Sequence, residues 1–149
     1  MLEVNNMKKN KKENIIVIGC GRFGSTIAGN LSEINKNLMI VDLDQSSFRK
    51  LSPSYSGLTK EGDGTDIDLL ESIGIADADI LIASTNEDDV NILIAQIAKV
   101  IYKVPDVITR MYDTSKKITC DDMDIHVISP TALSIIEFQK RIFGEEVES

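Results

Sequence analysis

Hydrophobic positions along the chain follow two patterns that alternate with each other. Short apolar runs, typical of strands buried on both faces of a parallel sheet, occur at NIIVIG, LMIVDLD and DILIAST. Three further strands are predicted at GLTKEGDGT, with its turn, at DVITRM and at DIHVIS. Between these runs, apolar residues recur at helical spacing, as at Phe23, Ile27, Leu31 and Ile34. The alternation predicts an α/β fold with an open, doubly wound parallel sheet of about six strands and helices on both faces.

Further helices are predicted at IDLLESIGI, at EDDVNILIAQIAKVIYKV and at PTALSIIEFQKRIF, with a brief one at SSFRKL. In the long helix, four residues at spacings of four, three and four are predicted to face the sheet: Val90, Ile94, Ile97 and Ile101. Three more apolar residues lie around the rest of its surface: Ile92, Leu93 and Val100. We therefore expect the outer face of this helix to pack against a second protomer, the alternative being cover from helices of the same chain.

Composition limits the kind of protein this is. The 149 residues, 42% of them hydrophobic, suffice for one globular domain with a core. The net charge of −8 disfavours nucleic acid and anionic lipid surfaces as partners. The apolar runs are far shorter than the roughly 20 residues of a membrane-spanning helix, and Cys20 and Cys120 do not form a disulfide framework. These features predict a cytoplasmic protein that does not insert into a membrane directly.

The two ends of the chain differ from its middle. Residues 1–13 form a basic tail, expected to be disordered and solvated, with a tether to a membrane or partner as the alternative. Residues 14–143 hold the predicted domain, and residues 144–149 form an acidic tail.

The first apolar strand runs into a glycine-rich turn, VIGCGRFG, with the spacing G-x-G-x-x-G. In a Rossmann-like fold, Gly19 permits the tight turn, Gly21 lets a pyrophosphate approach the backbone, and Gly24 lets the helix lie close to the strand. The start of that helix offers free N–H groups and a positive dipole end to the anion. The strand before, the helix after and an acid at the end of the next strand together predict a phosphate-binding turn rather than a purely structural one.

That acid is Asp42, placed to accept hydrogen bonds from a ribose hydroxyl pair and to repel a 2′-phosphate. NAD, or an adenine nucleotide with an unphosphorylated ribose, is therefore favoured over NADP. Asp44 is a second ribose contact or simply an exposed acid at a strand end. Arg22 projects from the turn, where its guanidinium fork can contact the phosphates.

Three later stretches are expected to close the same pocket. Asp63 and Gly64 of GDGT follow the third strand and border the base. Ser84, Thr85 and Asn86 follow the fourth strand, although Thr85 or Asn86 would equally serve as the N-cap of the long helix. Arg110 ends the fifth strand, either as a phosphate or partner contact or in a surface salt bridge.

The motifs VIGCGRFGSTIA, VDLD, GDGT, ADILIASTNEDDVNILIAQIAK and VITRMYD, in this order, resemble the nucleotide-binding lobe of domains that regulate potassium conductance, the TrkA N-terminal domain of cytosolic Trk/Ktr-type gating subunits. The resemblance spans Asn14 to Phe143. It implies NAD(H) or ATP, ADP or AMP in the crevice, assembly as a homodimer or larger even-numbered ring, and a membrane potassium channel or transporter as partner. The protein would thus be peripheral to the inner face of the membrane.

Matched residue by residue, the resemblance assigns Phe23, with its glycine and arginine neighbours, to the phosphate turn, and Thr85 and Asn86 to the phosphates or the nicotinamide side. Two departures matter. Thr131 follows Pro130, where family sequences often carry an acid that ATP-responsive members use, and this weakens the case for an ATP/ADP switch with its metal. The second small C-terminal domain of many members is absent from this sequence, so a second ligand site in such a domain is not assumed.

A regulator is favoured over an enzyme. A dehydrogenase needs a substrate domain and an acid or base beside the nicotinamide, whereas the sole histidine, His126, lies in a predicted strand. No motif places a histidine to activate Cys20. The competing class is the cofactor domain of an NAD-dependent oxidoreductase.

Overall fold

The computed structural model describes residues 12–34 and 36–145. Most of the predicted basic tail and the last four residues of the predicted acidic tail lie outside these ranges. Those two predictions therefore stay predictions.

Six parallel strands of the described residues form one sheet: β1 (Asn14–Ile18), β2 (Asn37–Asp42), β3 (Leu58–Glu61), β4 (Ile80–Ala83), β5 (Asp106–Arg110) and β6 (His126–Ile128). Their order is β3-β2-β1-β4-β5-β6. Ile18, the last residue of β1, pairs with Val41 on one side and with Ala83 on the other. The chain thus winds outward in opposite directions from β1, and a crevice opens at the carboxyl ends of β1 and β4.

Within the described ranges, four α-helices accompany the sheet: α1 (Arg22–Ser32), α2 (Ile67–Ser72), α3 (Asp88–Gln96) and α4 (Pro130–Phe143). Short 3₁₀ helices cover Gln45–Lys50, Ile75–Asp77 and Thr114–Cys120. The predicted brief helix is the first of these 3₁₀ helices, and the third was not predicted. None of the helices in the described ranges is long and apolar enough to cross a membrane.

Alternate residues of β1 face the two sides of the sheet, and both sides are covered. Ile16 and Ile18 pack in one cluster with Leu70 of α2 and Ile94 of α3. Ile15 and Val17 pack in a second cluster with Ala28 of α1 and residues of β2. Burying an aliphatic side chain of this size contributes about 1.5–3 kcal/mol. The predicted α/β, Rossmann-like, doubly wound sheet is confirmed.

The long helix departs from the predicted pattern in its second half. Hydrogen bonding changes to the π type over Ile97–Ile101, and the wider turn breaks the 3.6-residue spacing. Ile101, predicted to face the sheet, is 55% exposed. Ile92, predicted to lie on the outer face, is buried against Met111 and Cys120 of the same chain. For these two residues the prediction was wrong, whereas Leu93 and Val100 are 45% and 58% exposed.

The closing helix α4 begins and ends where the sequence predicts. Ser129 caps it by accepting a hydrogen bond from the backbone N–H of Ala132, and Pro130 occupies the first turn. None of its residues is buried. Five large apolar side chains are half or more exposed: Leu133, Ile135, Phe138, Ile142 and Phe143.

Candidate functional site

The crevice at the carboxyl ends of the strands has a volume of about 580 Å³. We call its part at β1, β2 and β3 the near side, and its part at β4 and β5 the far side. Eleven of the thirteen predicted site residues line it: Gly19, Gly21, Arg22, Phe23, Asp42, Asp63, Gly64, Ser84, Thr85, Asn86 and Arg110. Gly24 and Asp44 do not.

The three glycines of the turn have different structural roles. Gly19 has a φ of 104°, a conformation that side chains disfavour. A Cβ at Gly21 would meet no atom within 4 Å, so the space above that residue is open to the crevice. A Cβ at Gly24 would overlap the carbonyl oxygen of Gly19, so only glycine lets α1 lie this close to the turn.

The start of α1 is suited to an anion. Its N-cap is Gly21, which has no side chain to satisfy the first N–H groups of the helix. Those groups and the positive end of the helix dipole face the crevice, as in phosphate sites of this fold. Arg22, the first residue of α1, is exposed and lines the crevice beside them.

Asp42 is the last residue of β2, and two backbone N–H groups donate hydrogen bonds to its carboxylate. Its Oδ2 accepts a hydrogen bond from the backbone N–H of Cys20, and its Oδ1 accepts one from that of Asp44, each at 2.8 Å. A carboxylate oxygen has two lone pairs, so both oxygens can still accept from ribose hydroxyls. The carboxylate is thus fixed in place and keeps capacity for a ligand.

Asp44 has a local role in the structure. Its side chain accepts a hydrogen bond from the backbone N–H of Ser46 at 2.9 Å and caps the first 3₁₀ helix. The hydrogen bonds from Ser46 hold the pKa of Asp44 below its ordinary value. The Asp44 carboxylate is thus exposed and lies outside the crevice lining, and its role as a second ribose contact stays a prediction.

Asp63 and Gly64 form a tight turn after β3. Asp63 Oδ1 accepts hydrogen bonds from both the backbone N–H and the hydroxyl of Thr65, and these lower the pKa of its carboxyl. Gly64 is buried, and a Cβ there would overlap Ile18 Cγ2. The exposed Asp63 carboxylate borders the near side, and Gly64 allows the turn to pack against β1.

On the far side, the segment after β4 is tied to its neighbours. The Ser84 hydroxyl donates to the carbonyl oxygen of Ile18 at 3.1 Å, joining the ends of β4 and β1. The N-cap of α3 is Glu87, which makes no side-chain capping bond. Thr85 and Asn86 are therefore not the N-cap, and the Thr85 hydroxyl instead donates to Asn91 Oδ1 at 2.6 Å.

Arg110 ends β5 with its guanidinium between two aromatic rings. The Phe23 and Tyr112 ring centroids lie 5.3 and 4.9 Å from its Cζ. Nη2 donates to Thr85 O at 3.0 Å and to Asn86 Oδ1 at 3.3 Å. No described carboxylate forms a salt bridge with it. The guanidinium thus belongs to the crevice.

Two polar residues of α3 that sequence reasoning missed hold this arrangement. The Asp88 carboxylate accepts hydrogen bonds from the backbone N–H groups of Tyr112 and Asp113, each at 2.8 Å. Asn91 is fully buried and bonds to Thr85 and Arg110. The sequence feature that could have indicated such a role is Asn91 itself, a polar residue within an otherwise apolar stretch of a predicted helix.

The parallel sheet, the glycine turn at its reversal of strand order and the acid ending β2 define a Rossmann-like domain with the features of a nucleotide site. The profile of the TrkA-N domain family matches residues 15–130, most of the chain. The chain belongs to this family.

Two curated relatives are Trk system proteins. The Trk system potassium uptake protein TrkA of Streptomyces coelicolor is 29% identical over 134 residues, covering 90% of this chain and 60% of that protein. The TrkA homolog of Pyrococcus abyssi is 37% identical over 103 residues, covering 69% of this chain and 45% of that protein. The chain therefore spans less than two thirds of the length of either relative.

Solved structures share the fold. The TrkA-N domain of the inner membrane protein ybaL from Escherichia coli superimposes with a TM-score of 0.76 at 13% identity, covering 90% of this chain and 98% of that one. The AMP-bound form of the Shewanella denitrificans Kef CTD gives 0.70 at 23%, covering 92% and 84%. The GsuK channel bound to NAD gives 0.70 at 15%, covering 87% and 23%.

Proposed function

We propose that this chain is a nucleotide-binding regulatory module of a potassium transport system. The observation that carries the proposal is the crevice itself, in which an open Gly21 and a fixed Asp42 carboxylate lie side by side at the start of α1. Membership of the TrkA-N family and the potassium uptake function named for its relatives support the physiological setting.

The ligand we propose is NAD(H), with ATP, ADP or AMP as alternatives. The adenosine lies on the near side, with its ribose on Asp42 and its base beside Asp63, and the phosphates lie on the glycine turn and Arg22. The remainder of a dinucleotide extends toward Thr85, Asn86 and Arg110. The negative charge of Asp42 disfavours NADP. Fold relatives solved with NAD and with AMP support this range of ligands.

The ligand acts as a signal rather than as a reactant. His126, the sole histidine of the chain, lies at the amino end of β6, whereas the crevice lies at the carboxyl ends of the strands. Binding shifts a conformational population when the ligand has different affinities for the two states. A regulator needs that difference in affinity and no catalytic group.

The regulatory module assembles as a homodimer or a larger even-numbered ring that contacts a membrane potassium channel or transporter from the cytoplasm. Leu93, Val100 and Ile101 give α3 and its π turn an exposed apolar side, and α4 exposes five more large apolar side chains. Apolar surface of this extent is typical of interaction sites, and a twofold dimer is the simplest way to cover it.

Two measurements test the proposal. Mass spectrometry of nucleotide retained through purification, followed by calorimetric titration, should identify NAD(H) or an adenine nucleotide as a ligand. In the source organism, replacement of the gene by its Gly21→Val version should impair growth at limiting potassium, and added potassium should restore growth. A purified chain that binds none of these nucleotides, or a variant that grows normally at limiting potassium, would contradict the corresponding part of the proposal.

A further inference from the structure

Asn91 has every hydrogen-bonding position of its side chain occupied. Oδ1 accepts from the backbone N–H of Thr85 at 2.8 Å and from the Thr85 hydroxyl at 2.6 Å. Nδ2 donates to the carbonyl oxygens of Thr85 and Arg110, each at 3.1 Å. A side-chain amide offers two acceptor and two donor positions, so the group is saturated. Fully satisfied buried polar groups of this kind hold their surroundings in one arrangement.

The partners of Asn91 all belong to the far side of the crevice. Asn91 is hydrogen-bonded to the backbone N–H, the carbonyl oxygen and the hydroxyl of Thr85. It is also hydrogen-bonded to the carbonyl oxygen of Arg110. One turn earlier in α3, Asp88 holds the backbone N–H of Tyr112, whose ring stacks on the Arg110 guanidinium. The first turns of α3 therefore fix the backbone at Arg110 itself and again two residues later.

With its backbone fixed, Arg110 presents its charge across the crevice from Asp42. The guanidinium lies against Phe23 of the glycine turn and reaches Thr85 and Asn86 with Nη2. Its Nε is buried and has no hydrogen-bond partner among the residues the structure describes. An unpaired buried donor is unfavourable, and a ligand acceptor could pair with it only if the Arg110 side chain moved to expose the Nε.

The near side and the far side of the crevice contact different parts of a bound nucleotide. A nucleoside monophosphate with its ribose on Asp42 and its phosphate on the glycine turn is held by the near side alone. Asp42 and Arg110 end β2 and β5, which are three positions apart in the sheet, so a ligand held at Asp42 reaches the guanidinium by extending beyond its first phosphate. Arg110 therefore acts on the part of a dinucleotide that a nucleoside monophosphate lacks.

We propose that Asn91 is a positioning residue that holds Arg110 and Thr85 in place on the far side and thereby sets a preference for a dinucleotide over a nucleoside monophosphate. The inference rests on the proposed nucleotide-binding function. It assigns the selection of ligand length to a buried side chain of α3 that does not line the crevice.

The test compares the dissociation constants of AMP and NAD for the wild-type chain and three variants: Asn91→Ala, Arg110→Ala and the double variant. Loss of hydrogen bonds to a charged group predicts that Arg110→Ala weakens NAD binding by about tenfold or more, with little change for AMP. Asn91→Ala should shift the ratio of the two constants in the same direction. In the double variant the combined effect on the ratio should be smaller than the sum of the two single effects on a free-energy scale, because Asn91 acts in part through Arg110.

Ile75→Val serves as a control for general loss of stability, since Ile75 is buried in the core cluster that also holds Leu70 of α2 and does not line the crevice. An Asn91→Ala variant that weakens AMP and NAD equally, as a loosened fold would, overturns the inference while leaving the proposed function intact. If Asn91→Ala does not fold, an unchanged NAD to AMP ratio in Arg110→Ala overturns it independently. A wild-type chain that binds neither ligand contradicts the proposed function instead.

Discussion

The backbone N–H of Cys20 donates a 2.8 Å hydrogen bond to Oδ2 of Asp42. The residue between the first two glycines of the turn is thus fixed to the carboxylate that ends the neighbouring strand. The groups proposed to bind phosphate and those proposed to bind ribose therefore keep a constant relative position, and a ligand meets a site that is already formed.

Asp42→Ala should weaken NAD binding by about ten- to a hundredfold, because hydrogen bonds to a charged acceptor contribute about 1.5–3 kcal/mol. Calorimetry measures the change. Asp44→Ala is the matched control, since this carboxylate lies two residues further on and outside the crevice lining. Equal affinities of the wild-type chain and Asp42→Ala would remove the ribose assignment, as would NADP binding as tight as NAD binding.

Substitutions at Gly21 and Gly24 should affect different properties of the protein, nucleotide binding in the first case and stability of the fold in the second. Gly21→Val should abolish nucleotide binding and leave the melting temperature nearly unchanged, since the space above Gly21 is empty of protein atoms. Gly24→Ala should lower the melting temperature, because its Cβ would overlap the backbone oxygen of Gly19. Circular dichroism and calorimetry on both variants separate the two effects. Native affinity in Gly21→Val would mean that the phosphates bind elsewhere.

The near side of the site was predictable because its signals are local. Gly19, Gly21, Gly24 and Asp42 stand at fixed spacings along the chain, and the alternation of strands and helices fixes the edge of the sheet where they meet. The far side depends on contacts between distant segments. Asn91 reaches Arg110, 19 residues further along the chain, and no local pattern specifies that pairing.

The π turn at Ile97–Ile101 was unpredictable for a related reason. Apolar residues at helical spacing indicate an α-helix, and a change to i→i+5 hydrogen bonding leaves no mark on that pattern. Met111 and Cys120 bury Ile92. The burial of Ile92 was also unpredictable, because Cys120 lies on a 3₁₀ helix that the sequence pattern did not predict.

Assembly should depend on the exposed side of α3. Light scattering should report a dimer or a larger even-numbered ring for the wild-type chain at micromolar concentration, and Leu93→Glu or Val100→Glu should shift it toward monomer. Leu58→Glu is a suitable control, since Leu58 is an exposed apolar residue on β3, an edge strand of the sheet that lies away from α3. A wild-type chain that stays monomeric at high concentration would count against the proposed assembly.

The thiol of Cys20 should make stability depend on pH in the alkaline range. Burial, with a smaller contribution from Asp42, raises the pKa of Cys20 from 9.0 to about 11. Between these values the unfolded chain loses a proton that the folded chain keeps, so the free energy of unfolding falls as pH rises. Cys20→Ser lacks the thiol and retains a donor for the carbonyl oxygen of Ser47.

Urea unfolding of both chains across pH 9 to 11 tests this expectation. The wild-type chain should lose more stability over the interval than Cys20→Ser does. Parallel curves for the two chains would show that Cys20 does not titrate differently in the folded state.

Because helix α4 is exposed, hydrogen exchange in solution can show whether another surface covers it. A helix of 14 residues without a buried side chain is near the length at which isolated helices are only marginally stable in water. The helix is then stabilised mainly by its cap at Ser129 and by its own backbone hydrogen bonds. Its amide hydrogens should therefore exchange with solvent quickly as long as no other surface covers it. Once another surface covers Phe138 and Ile142, the same amides should exchange slowly, so deuterium uptake in this segment reports directly whether the helix is covered.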